Sequence, residues 1–153
     1  MIALVLGLAM TAASPNSAEL TTVCKVGSLA LRDLPRINGN KEFDSYYAAP
    51  EANHPDLLTI CPKLKAKIPK GYPIADEDAK ARAAVHAPVP DRHVREAFIY
   101  SVGIPVISSD MQSAVVQFAY SCTGLCGGQF VARYVRTAKG WQRIGPVQML
   151  SVS

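Results

Sequence analysis

Cys122 and Cys126 stand with three residues between them in the stretch SCTGLCGG, wrapped by Gly124, Gly127 and Gly128 and flanked on both sides by apolar runs. Sulfur at that spacing can exchange electrons as a dithiol, hold a soft metal ion, or close a covalent staple. A working dithiol needs a thiolate near neutral pH, which proteins obtain from a helix N-terminus, a neighbouring cation or a Cys-x-x-Cys arrangement. Here the spacing is one residue longer, the glycines oppose a following helix, and the alternation on either side places the pair between two strands. Arg133 and Arg136 lie too far beyond the loop to acidify Cys122. Copper carriers use Cys-x-x-x-Cys with a remote imidazole, because thiolates select Cu(I). His54, His86 and His93 are nominal third ligands, and spacing singles out none of them. The expected role of the pair is therefore a staple at a tight turn, where glycine lets the chain reverse within disulfide range. A thiol-active redox or copper-handling protein is the alternative.

Cys24 and Cys61 complete an even set of four cysteines, for which disulfides are the first reading and free thiols the second. Adjacency alone favours Cys24 with Cys61 and Cys122 with Cys126. Other candidate chemistry is thin. The acidic run Asp76, Glu77, Asp78 is better explained as the first turn of a helix than as a metal site, because Lys80 and Arg82 follow it. His86 and His93 straddle a proline-rich linker, a poor frame for preorganised ligands. No Gly-x-Ser-x-Gly, His-Glu-x-x-His or phosphate-cradling loop occurs. No carboxylate follows Asp110, so an acid–base pair in the last quarter would have to use tyrosine or borrow from the N-terminal half. No catalytic residue, cofactor or metal ligand is assigned.

Charge distribution is more informative than its sum. The whole formal net charge of +4 sits in Arg133, Arg136, Lys139 and Arg143, the only ionisable side chains between Met111 and Ser153 apart from tyrosine and cysteine. Four cations so close together steer anions at low salt. The expected partner is a protein or an anionic cell-envelope component, met by these residues and by Tyr46 and Tyr47 in the long irregular connection EFDSYYAAPEANHP. The plainer alternative is an ordinary solvated sheet face. Nucleic acid is not expected, since aromatic residues do not interleave with the arginines.

The elements that must position these residues are of two kinds. Nine of the eleven prolines fall between Pro15 and Pro90, which predicts an N-terminal half built from short pieces. Leu57, Leu58, Ile60, Leu64 and Ile68 are apolar anchors there, with Pro62 in the first turn of a second short helix. The clearest helix runs from Asp76, its cap, to about His86, burying Ala79, Ala83 and Val85. From Arg95 the period becomes alternating, with interruptions at Gly103 and Pro105. Ala114, Val116, Phe118, Tyr120 and Cys122 share one strand face, and Phe130, Ala132 and Tyr134 share the returning one. Lys139 and Gly140 turn the chain into a less regular strand broken near Gly145 and Pro146. The fold class is α+β: short N-terminal helices packed on a C-terminal three- to four-stranded antiparallel meander.

The first residues set the expected compartment. Ile2–Ala13 is an uncharged apolar run, too short to span a bilayer, and reads as a secretory leader cleaved after Ala13, with Ala18 the second choice. No Lys or Arg precedes Lys25, a departure from the usual basic start. Residues 14–153 then form a single domain with no integral membrane segment, exported to the periplasm or secreted. The stretch GIPVISSDMQSAVVQFAYSCTGLCGGQFVARYVRTAKGWQR, Gly103 to Arg143, resembles the C-terminal part of small uncharacterised exported bacterial proteins with a Cys-Gly-rich hairpin. The resemblance implies an α+β domain and assigns no catalytic residue.

Overall fold

The computed structural model of the chain describes residues 17–38, 43–51, 53–86 and 94–152. The expected leader, His93 and most of the proline-rich linker lie outside them.

Ser17–Ile37 forms one helix, α1, of 21 residues, about 31 Å long. This corrects the expectation of an N-terminal half made only of short pieces. Proline density over that half conceals the gap between Pro15 and Pro35. Within the gap Val23, Val26, Ala30, Leu31 and Leu34 recur at helical spacing, and all are buried. Pro35 falls in the last turn, where its missing N–H forfeits one bond, to the Leu31 carbonyl, and the helix ends two residues later, with the Asn38 N–H donating to the Leu34 carbonyl at 3.1 Å. Glu19 in the first turn and Arg36 in the last oppose the macrodipole.

The short pieces follow. Helix α2, Leu57–Ile60, is held by a reciprocal capping box between Asp56 and Thr59. A 3₁₀ helix, Pro62–Lys67, begins at Pro62 as expected. Together they bury Leu57, Leu58 and Leu64, while Ile60 stays exposed. Helix α3, Glu77–Ala83, is capped by the Asp76 carboxylate, which accepts from the Ala79 N–H at 2.8 Å. It ends short of His86 and buries Ala79 and Ala83, with Val85 half-buried beyond it.

The six-stranded sheet has order β1-β2-β4-β5-β6, with β3 pairing on β4. Its strands are β1 Asp44–Tyr47, β2 Ala97–Val102, β3 Val106–Ile107, β4 Ser113–Cys122, β5 Cys126–Thr137 and β6 Gly140–Val152. From β2 to β6 every pairing is antiparallel, and β1 joins the edge parallel to β2. The parallel strand corrects the placement of Tyr46 and Tyr47 in an irregular connection: four residues are too few to show alternation. One face of β4 is buried at Ala114, Val116, Phe118 and Cys122, the alternation read from sequence. These residues share one core with the α1 stripe, Leu57, Leu58 and Leu64.

Candidate functional site

The chain reverses over Thr123, Gly124 and Leu125, between the ends of β4 and β5, with Cys122 and Cys126 directly paired across the hairpin. Gly124 takes φ +94°, a left-handed conformation that a side chain would resist. The bend is clamped from behind. Thr123 Oγ1 accepts from the Ala97 N–H and donates to the Arg82 carbonyl, and the Gly124 N–H donates to the Val85 carbonyl at 2.7 Å. Cys122 and Cys126 stand at disulfide distance with α-carbons 5.6 Å apart, and Cys24 and Cys61 do so at 5.7 Å. Cys122 is 0 % exposed, and neither sulfur of the hairpin pair lies at a helix N-terminus. Among the described residues, neither a helix N-terminus nor a cation on the loop is there to acidify a thiol at this bend.

Tyr46 and Tyr47 already have partners. Tyr47 is 0 % exposed, and its hydroxyl oxygen accepts from the Val102 N–H. Burial, with the Asp56 charge second, pushes its phenol well above the usual tyrosine range. The Tyr46 hydroxyl accepts from Arg82 at 2.8 Å, and the same guanidinium lies 5.7 Å from the Tyr46 ring centre. Arg82 also donates to Asp78, Asp44 and the Arg95 carbonyl, so this cluster ties α3 to β1. The tyrosines occupy the sheet edge opposite β6, about 19 Å from it at strand spacing. The structure does not bring them together with the C-terminal cations.

The four cations themselves divide. Strand alternation sends Arg133, paired with Val115 and Ile144, to the sheet face away from α1. Arg136 pairs with Trp141 and Tyr134 with Arg143, and these two cross-strand pairs face α1. There they meet a stripe that sequence reasoning missed. Lys25, Arg32 and Arg36, with Leu29 among them, lie on one side of α1, because steps of seven and eleven residues return to nearly the same helical azimuth. Two hollows of about 380 and 510 Å³ run between helix and hairpin and share Leu29, Arg32 and Trp141. Among the described residues, their walls hold six cations, Lys25, Arg32, Arg36, Arg136, Lys139 and Arg143, and one carboxylate, Asp33.

Asp33 is committed to the fold. It is 8 % exposed, its Oδ2 accepts from the Tyr134 hydroxyl at 2.8 Å, and Arg143 and Arg36 approach it at 3.5 and 3.8 Å. Burial, reinforced by that hydrogen bond, holds the Tyr134 phenol far above its ordinary range. The groove therefore carries a strong excess of positive charge, with a half-buried indole on its floor.

No protein-family model, curated protein or solved structure matches this chain. Among the described residues no three His, Cys, Asp or Glu side chains gather where they can hold a metal ion. His54 lies exposed beside Glu51, and His86 is exposed past α3. No helix among the described residues is long and apolar enough to cross a membrane. The signal for the missed half of the groove was present as the spacing of Lys25, Leu29, Arg32 and Arg36, and it becomes readable once Ser17–Ile37 is taken as one helix.

Proposed function

We propose that this protein is a non-catalytic, disulfide-braced module that binds an anionic partner in the groove between α1 and the β5–β6 hairpin. The partner is a protein or a cell-envelope component. One observation carries the reading: six cations from two distant parts of the chain converge around Trp141, while the single carboxylate among them is already bonded to Tyr134. Structural ion pairing does not account for that excess, since Lys25, Arg32, Arg136 and Lys139 are exposed rather than folded into the core. A Trp ringed by Arg is also the composition at which binding energy concentrates in interfaces. In this reading the helices packed on the antiparallel strands form one wall of the site, and the paired cysteines hold the frame.

The protein is read as exported, periplasmic or secreted, after loss of the 1–13 leader. Cysteines at disulfide distance support that reading, because such bonds persist in oxidising compartments. The resemblance of Gly103–Arg143 to small exported bacterial proteins belongs to the same proposal.

The test is a salt titration of binding to soluble polyglutamate, polyuronate and anionic vesicles, repeated with charge reversals. Arg32→Glu combined with Arg136→Glu is expected to weaken whichever anion binds by about tenfold, the size expected of exposed ion pairs turned repulsive. Arg133→Glu, on the other face, is expected to leave it nearly unchanged. Binding insensitive to salt, or equal loss from Arg133→Glu, refutes the assignment to the groove.

A further inference from the structure

We infer that the groove's ligand is an extended peptide segment of alternating acidic and apolar residues, which adds to the sheet as a strand along the first part of β6. This rests on the binding reading above and names its partner. The two sheet edges are treated differently. Outside β1, the Tyr47 N–H donates to the Pro73 carbonyl at 2.9 Å and the Ala75 N–H to the Tyr47 carbonyl at 2.8 Å, so the segment around Ile74 covers the Tyr47 end of that edge. At the other edge, β6 pairs with β5 and, among the described residues, with no further strand. An open row of backbone donors and acceptors is a template for strand addition, in which the main chain supplies affinity and alternate side chains supply specificity.

The template has a defined length. Gly145 takes φ +67° and Pro146 has no N–H, so the regular edge is Gly140–Ile144, ahead of the irregularity. Along it Trp141 and Arg143 face α1, whereas strand alternation puts Gln142 and Ile144 on the other face, although Gln142 still borders the smaller hollow. Side chains of an added strand follow the same alternation. Those on the α1 face enter the field of Arg32, Arg36 and Arg143, which selects carboxylates. Those on the opposite face lie beside Ile144, which is 46 % exposed, and this selects apolar groups.

Other occupants fit less of this. A polysaccharide or a lipid surface can satisfy the cations but leaves the backbone row of β6 unpaired. A second copy of the chain, joined β6 to β6, sets Arg143 and the rest of the groove against like charge, because no carboxylate follows Asp110.

Trp141 is the only tryptophan in the chain, so its emission reports on the groove directly. The full chain is titrated with a short capped peptide alternating Asp and Val, with a block isomer of the same composition, with polyglucuronate, and with phosphatidylglycerol vesicles. The alternating peptide is expected to shift Trp141 emission saturably, and the block isomer to bind about tenfold more weakly or worse. Arg32→Glu with Arg136→Glu, both exposed positions, is expected to weaken the alternating peptide by a similar factor while leaving circular dichroism unchanged. Equal binding of the two isomers overturns strand addition. Binding of polyglucuronate or vesicles without the alternating peptide overturns the peptide inference and leaves the anion-binding groove standing. No binding of any anion at low salt overturns both.

Discussion

Removal of each cysteine pair by alanine gives the sharpest test of how the frame is held. The Cys24–Cys61 pair closes a ring with a sequence separation of 37, and Cys122–Cys126 closes one of 4. If a cross-link acts by restricting the unfolded chain, these rings are worth about 3.8 and about 1.9 kcal/mol. Each pair contains one buried sulfur, Cys61 or Cys122, and one half-buried sulfur, Cys24 or Cys126. The packing lost on truncation is therefore nearly matched, and the difference of about 2 kcal/mol isolates ring length. The long bridge also joins α1 to the junction of α2 and the 3₁₀ helix, where the Cys61 N–H bonds to Leu57 and its carbonyl accepts from Leu64. Urea denaturation of Cys24→Ala/Cys61→Ala and of Cys122→Ala/Cys126→Ala measures both, and in a chain of this size the gap corresponds to about 6 °C in melting temperature. A gap under about 1 kcal/mol, or a hairpin variant that is the less stable of the two, refutes the ring-closure account.

Tyr134→Phe removes the hydroxyl that Asp33 accepts from at 2.8 Å and is expected to cost about 1.5–3 kcal/mol, the range for a hydrogen bond to a charged group; an unchanged urea midpoint would show that Asp33 does not depend on it. Gly27→Ala adds a good helix former to α1 but brings a methyl within 2.9 Å of Leu57 Cδ2, a fully buried neighbour. A net loss of about 1–3 kcal/mol is expected, and a rise in melting temperature would mean that Leu57 has room to move. Alkaline stability follows from Tyr47, Tyr100 and Tyr134, whose phenols burial raises above the ordinary range. The folded state holds these protons more tightly than the unfolded one, so their contribution is complete below about pH 10 and is lost as pH climbs beyond it. The phenolate absorbance of these three, half of the chain's six tyrosines, should therefore appear together with unfolding, and reversible titration of all six near pH 10 in folded protein would contradict their burial.

Much of the local structure was legible. The alternation of Ala114, Val116, Phe118 and Cys122 against Phe130, Ala132 and Tyr134, with glycine at the bend, located the β4–β5 hairpin. Asp76 located the start of α3 through its own side chain. The misreadings share a cause. Proline density over the whole N-terminal half masks the proline-free gap that permits α1. Strand β1 is held largely by distant partners, β2 and the Ile74 segment, and little within Asp44–Tyr47 announces it. The candidate groove was half visible, since Arg136, Lys139 and Arg143 stood out as an uncompensated charge run while the α1 stripe did not.

By itself the sequence determined the features that neighbours in the chain decide: turns that need glycine, a carboxylate cap, alternation that assigns each residue a sheet face, and the excess of positive charge after Asp110. Tertiary structure alone decided which cations share a site. Asp33 and Tyr134 meet across 101 residues, and with them Arg32 and Arg36 come to face Arg136 and Arg143. Such a meeting is set by how an apolar helix stripe docks on a sheet face, a nonlocal balance of packing that leaves no pattern in either segment read alone.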